Sequence, residues 1–103
     1  MPADLRPKEF AESFRAHPKA VILDVRTPQE FGSGHLPGAL NIDIHGYDFE
    51  EQIENLDKDK AYYVYCRSGG RSGAASRYMK SKGFPEVYNM LGGILAWEGE
   101  LEN

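Results

Sequence analysis

Cys66 is the only cysteine in this chain of 103 residues. It ends the apolar run "AYYVYC", and Arg67, Ser68, Gly69, Gly70, Arg71 and Ser72 follow it directly. Thiolate is the reactive form of cysteine, and an ordinary thiol has a pKa of about 8.5. A tight glycine-containing turn can aim successive backbone N–H groups inward as an anion nest. A helix N-terminus adds partial positive charge and unpaired N–H donors. In "CRSGGRS", Gly69 and Gly70 offer unusual dihedrals, Ser68 and Ser72 are small, and Arg67 and Arg71 are cationic. Such a loop would put the sulfur of Cys66 inside a ring of donors. It would stabilise a thiolate, and equally a larger anionic group carried on the sulfur. A lone cysteine elsewhere reads as a small buried hydrophobe, but an inert thiol has no use for two neighbouring arginines.

The elements around Cys66 must then be a strand before it and a helix after it. "AYYVYC" is aromatic and β-branched, which predicts a strand over residues 61–66. "RSGAASRYMKSK" predicts a helix over residues 71–82, ended by Gly83. Upstream, "AVILDV" is an apolar run broken only by Asp24, as in a strand buried on both faces of a parallel sheet. "RPKEFAESFRAH" has the spacing of an amphipathic helix with Pro7 in its first turn. In "TPQEFGSG", Thr27 caps a short helix, Pro28 starts it and Gly32 stops it. "HLPGALNI" turns at Pro37-Gly38 into a short strand, and "YDFEEQIENL" reads as a further amphipathic helix. "EVYNM" predicts a last short strand, and "GGILAWEGEL" a last helix, with Trp97 in the core. Strands alternating with helices imply an α/β domain with a mainly parallel central sheet and helices on both faces, taken as one domain over residues 1–103. Sites in such sheets form beyond the carboxyl ends of the strands, where Cys66 falls.

Composition narrows the partners. Acidic residues outnumber basic ones by 16 to 12, a formal net charge of −4, which argues against nucleic acid. Hydrophobic residues make up 41% and charged residues 27%, the balance of a folded soluble chain. One cysteine makes no internal disulfide, and no Cys/His spacing suits a zinc site. The N-terminal residues lack the apolar core of a secretory signal, and no stretch is as long as a membrane span, so a cytoplasmic location is expected.

"YCRSGGRS" resembles the active-site loop of rhodanese-like sulfurtransferases, C-R-x-G-x-R. "ILDVRTPQEFGSGHLPGALNI", residues 22–42, resembles the upstream signature of that family, D-x-R followed by E-[FY]-x-x-G-H-[IL]-P-G-A-x-N-I. "LGGILAWEG", residues 91–99, resembles its closing G-G-x-x-x-W motif, with Ile94 where an aromatic is frequent. The resemblance implies a single rhodanese-like domain in which Cys66 attacks the outer sulfur of a donor such as thiosulfate. The cysteine becomes a persulfide and hands its sulfur to cyanide or to a thiol, with a protein such as thioredoxin among the acceptors. It implies that backbone N–H groups from Arg67 to Ser72 cradle the persulfide. It further implies that Arg67 faces solvent and helps hold an anionic donor, and that Arg71 closes the loop through backbone or an acid. Asp24, Arg26 and His35 then read as structural support, and His17 and His45, which match no motif, as surface residues. No metal or organic cofactor is implied. Two other readings stand beside the enzyme: a sulfur-carrier module that docks on a partner, and a phosphatase or arsenate reductase. The loop has four residues between Cys66 and Arg71, one fewer than in those related enzymes, which suits sulfane sulfur better than a tetrahedral phosphate.

Overall fold

A computed structural model describes residues 3–103. Five parallel strands form one sheet in the order β1-β5-β4-β2-β3. They are β1 (Asp4–Leu5), β2 (Ala20–Asp24), β3 (Leu40–Asn41), β4 (Ala61–Tyr65) and β5 (Val87–Met90). The helices are α1 (Pro7–Ala16), α2 (Pro28–Gly32), α3 (Phe49–Glu54) and α4 (Gly70–Ser81), and a 3-10 turn covers Gly93–Ala96. β1 has no counterpart in the sequence reading, because two residues carry no readable period.

Side chains of β4 alternate between two cores, as a strand covered on both faces requires. Tyr62, Val64 and Cys66 face one core with Phe49 and Ile53 of α3 and Ala75 and Met79 of α4. Ala61, Tyr63 and Tyr65 face the other with Phe10 of α1, Leu36 and Met90. Phe10 and Phe14 set their edges against the Tyr63 ring at centroid distances of 5.4 and 5.7 Å. β4 is central, and all five of its residues are buried.

The chain leaves β2 towards β3 on one side and leaves β4 towards β5 on the other. The crevice beyond the carboxyl ends of β2 and β4 is therefore the topological switch point of the sheet. Asp24 ends β2, and Cys66 directly follows β4.

The expected last helix is the main departure. Only one 3-10 turn forms, at Gly93–Ala96. The N–H groups of Ile94 and Leu95 bond the carbonyls of Cys66 and Arg67 at 2.9 and 3.1 Å, so they serve another segment of the chain. Gly99 lies so close under the Trp97 ring that a Cβ would fall 2.7 Å from Cζ2, and Trp97 Nε1 donates to the Glu100 carbonyl at 3.1 Å. Trp97 is accordingly half-buried against the Phe10 core rather than inside it.

Candidate active site

β4 delivers Cys66 into the sheet interior, where it is 1% exposed. The chain then turns through Arg67 and Ser68 to Gly69, whose φ of +105° favours glycine, and enters α4 at Gly70. Gly69 N–H donates to Cys66 Sγ at 3.1 Å, and the Ser72 hydroxyl lies 3.3 Å from the same sulfur. Burial pushes the thiol pKa up. The Ser72 hydroxyl and the backbone N–H groups of Ser72, Gly69 and Ser68 outweigh it, and the net shift is downward.

The closing Gly-Gly gives the loop its shape. Gly93 has φ +58°, and a Cβ there would lie 2.3 Å from the Arg67 carbonyl oxygen and 2.6 Å from that of Cys66. The missing Cβ leaves room for the two carbonyls to accept from the N–H groups of the 3-10 turn. The loop donors are then free to face the sulfur. Gly70 differs from the expectation of an unusual dihedral. It has ordinary helical backbone, and nothing lies within 4 Å of a Cβ built on it.

The Arg71 side chain pairs with an acid on α2. Its guanidinium grips Glu30 with two parallel bonds of 2.8 and 2.9 Å. Glu30 is fixed in turn by α2, where its backbone N–H bonds Thr27 Oγ1 and its carboxylate accepts from Thr27 N, each at 3.2 Å. The Thr27-x-x-Glu30 spacing is a capping box, so Glu30 was detectable as a fixed acid in the sequence. Its partnership across the crevice with Arg71 was not. Arg67 and Ser68 are exposed at the rim of the loop.

Asp24, Arg26 and His35 stand behind the site. Asp24 is fully buried and bonded to Arg26 Nη2 at 2.7 Å, with further bonds from Arg26 Nε and N. Arg26 also donates to the Gly34 carbonyl at 2.7 Å. This satisfied pair pins the turn that leads into Thr27 and Glu30. His35 stacks on Phe31 at 3.7 Å and bonds its carbonyl through Nδ1 at 2.9 Å, so its ring serves the fold of α2. His45 is exposed, whereas His17 is half-buried against Glu86 at 3.0 Å. Among the described residues no group of three or more His, Cys, Asp or Glu is arranged for a metal ion, and no helix is long and apolar enough to cross a membrane.

The sequence reading missed Asn89 on β5. It is 4% exposed and accepts the Ser72 hydroxyl through Oδ1. Its partner lies on a different element, so no local spacing reveals it. A separate concavity of about 360 Å³ between α1 and Trp97 is lined by Phe10, Phe14, Ile22 and Pro37 and contains no nucleophile.

A parallel sheet with a donor-ringed thiol at its switch point defines the class of α/β domain. Comparison with known proteins makes the class specific: residues 6–100 match the rhodanese-like domain, and the chain belongs to that family. It is 38% identical over 98 residues to the uncharacterized protein YqhL of Bacillus subtilis, covering 95% of this chain and 74% of that one. It is 39% identical over 92 residues to the thiosulfate sulfurtransferase GlpE of Pseudomonas putida, covering 88% and 81%. The crystal structure of a rhodanese-like domain protein from Staphylococcus aureus superposes with a TM-score of 0.84 at 27% identity, over 98% of this chain and 97% of that one.

Proposed function

We propose that this protein moves a sulfane sulfur from thiosulfate, or a related persulfide donor, to cyanide or a thiol through a persulfide on Cys66. The observation that carries the reading is the sulfur of Cys66 held by Gly69 N–H and Ser72 at the end of β4. The thiolate attacks the outer sulfur of the donor, a new S–S bond forms, and sulfite leaves with the electron pair of the broken bond. The charge now sits on the outer sulfur, within reach of the loop N–H groups from Arg67 to Ser72. A nucleophilic acceptor then takes that sulfur, and the thiolate of Cys66 is regenerated as the leaving group. Two half-reactions sharing one covalent intermediate predict ping-pong kinetics.

Arg67 at the exposed rim attracts the anionic donor. Arg71 supports the loop through Glu30, and Asp24, Arg26 and His35 support the elements that carry Glu30. A thiol acceptor of the thioredoxin kind, in the cytoplasm, belongs to this proposal, because the outer sulfur of a persulfide is open to attack by a thiolate. The phosphatase reading is disfavoured by the loop, which has four residues between Cys66 and Arg71.

Steady-state assay of thiocyanate formation from thiosulfate and cyanide tests the proposal. Parallel double-reciprocal lines are expected for the wild type, with activity lost in Cys66→Ser and retained under mildly acidic conditions. Activity that survives Cys66→Ser would refute it, as would aryl phosphate turnover without sulfur transfer.

A further inference from the structure

Ser72 has one hydroxyl hydrogen and two acceptors. Its Oγ lies 3.3 Å from Cys66 Sγ and is also bonded to Asn89 Oδ1. A hydroxyl donates once, so it cannot fully serve both. Ser72 is fully buried and Asn89 is 4% exposed, so the acceptor that is left out pays a desolvation cost. The Asn89 amide cannot turn round to donate instead. Its Nδ2 is tied to Asp4 Oδ1 at 3.0 Å and to the Gly69 carbonyl at 3.4 Å. Asp4 is held there by the parallel pairing of β1 with β5, in which Asp4 and Asn89 are register partners.

We propose that Asn89 is a positioning residue that competes with the Cys66 thiolate for the Ser72 hydroxyl hydrogen and so sets how readily the thiol ionises. While Cys66 is a thiol, Ser72 donates to Asn89 and its oxygen can accept from the S–H. When the thiol proton leaves to solvent, the Ser72 hydroxyl turns to the sulfur, its hydrogen changing direction but not owner. Asn89 Oδ1 then loses its donor, and that loss opposes ionisation. The inference deepens the sulfurtransferase reading and rests on it for its meaning in catalysis. A persulfide carries its charge on the outer sulfur, so Sγ no longer needs the hydrogen and Ser72 returns to Asn89. Asn89 thereby favours the sulfur-loaded cysteine over the free thiolate, and it keeps the thiolate nucleophilic by limiting its stabilisation.

The charged groups around the sulfur do not differ between the variants that test this. They are Arg67 and Arg71 from the loop and α4, Glu30 from α2, Asp24 and Arg26 from the end of β2, and Asp4 from β1. Asparagine and alanine are both neutral.

The test is the pH profile of Cys66 alkylation by iodoacetamide, which requires no sulfur donor and is therefore independent of the function assigned above. Asn89→Ala is expected to move the midpoint down and to speed alkylation below the wild-type midpoint by about two- to fivefold, since the freed hydroxyl bond is partly offset by weaker nucleophilicity. In a Ser72→Ala background the same change is expected to do nothing. A merely structural role predicts the opposite sign, because a loosened loop loses its N–H donors and the midpoint rises. An upward or absent shift in Asn89→Ala would overturn the proposal, as would an equal shift in the Ser72→Ala background. A second readout needs no variant at Asn89. The Asn89 side-chain amide resonances of the wild type should titrate with the thiol, and resonances that stay fixed through that titration would overturn it equally.

Discussion

The guanidinium of Arg71 faces Glu30 rather than the thiol, and this decides how the charges of the loop act. Glu30 is held at about 2, below the ordinary 4.5, by the Arg71 hydrogen bonds acting against partial burial, with help from Thr27. A carboxylate with a depressed pKa stabilises the fold fully above its unfolded value and ceases to do so as pH falls through its folded one. The bridge therefore contributes most above pH 4.5, and its contribution fades towards pH 2. Both side chains are about a quarter exposed, so solvent screening reduces it to about 1–2 kcal/mol. Urea titrations of wild type and Glu30→Gln should differ by that amount at neutral pH and converge as pH drops towards the Glu30 value. A gap that stayed constant with pH would mean that something other than the ion pair is lost. Arg71→Lys should also lose part of it, because an ammonium cannot make the two parallel bonds.

At the level of elements, the site joins three segments distant in sequence. α2 supplies Glu30, the turn into α4 supplies the donors, and the 3-10 turn receives the carbonyls that would otherwise face inward. Gly93 and Gly70 separate these roles. An alanine at 93 would put its Cβ 2.3 Å from the Arg67 oxygen at a φ of +58°. Gly93→Ala should therefore cost about 2 kcal/mol or more and raise the Cys66 midpoint as the loop is forced open. Gly70 has open space and helical backbone, so Gly70→Ala should be neutral in stability or gain up to about 1 kcal/mol. Chemical denaturation and alkylation profiles check both, and equal destabilisation by the two substitutions would contradict this assignment.

Across the whole molecule, what was legible in the sequence was local. "AVILDV" and "AYYVYC" read as buried strands because their apolar runs are continuous, and β2 and β4 form there. The glycine-rich stretch after Cys66 read as a strand-to-helix turn, and α4 begins one residue earlier than expected. Asp24 read as a buried carboxylate needing a partner, and Arg26 supplies it. The rest depends on contacts between distant segments. "GGILAWEGEL" makes a single 3-10 turn whose N–H groups bond the Cys66 loop, and the chain leaves it at Trp97 in extended conformation. Gly93 offers no sign in sequence that it packs on two carbonyls, and Asn89 none that it reaches Ser72. The sheet brings these pieces together at one switch point, where a single sulfur is ringed by donors. What that sulfur carries decides the function. Intact-protein mass spectrometry after incubation with thiosulfate, and then with cyanide, measures it directly. A gain of one sulfur atom, removed by cyanide and absent in Cys66→Ser, is the predicted result. A chain that gains no sulfur from thiosulfate or from a persulfide donor, with Cys66 free and alkylatable, would contradict it.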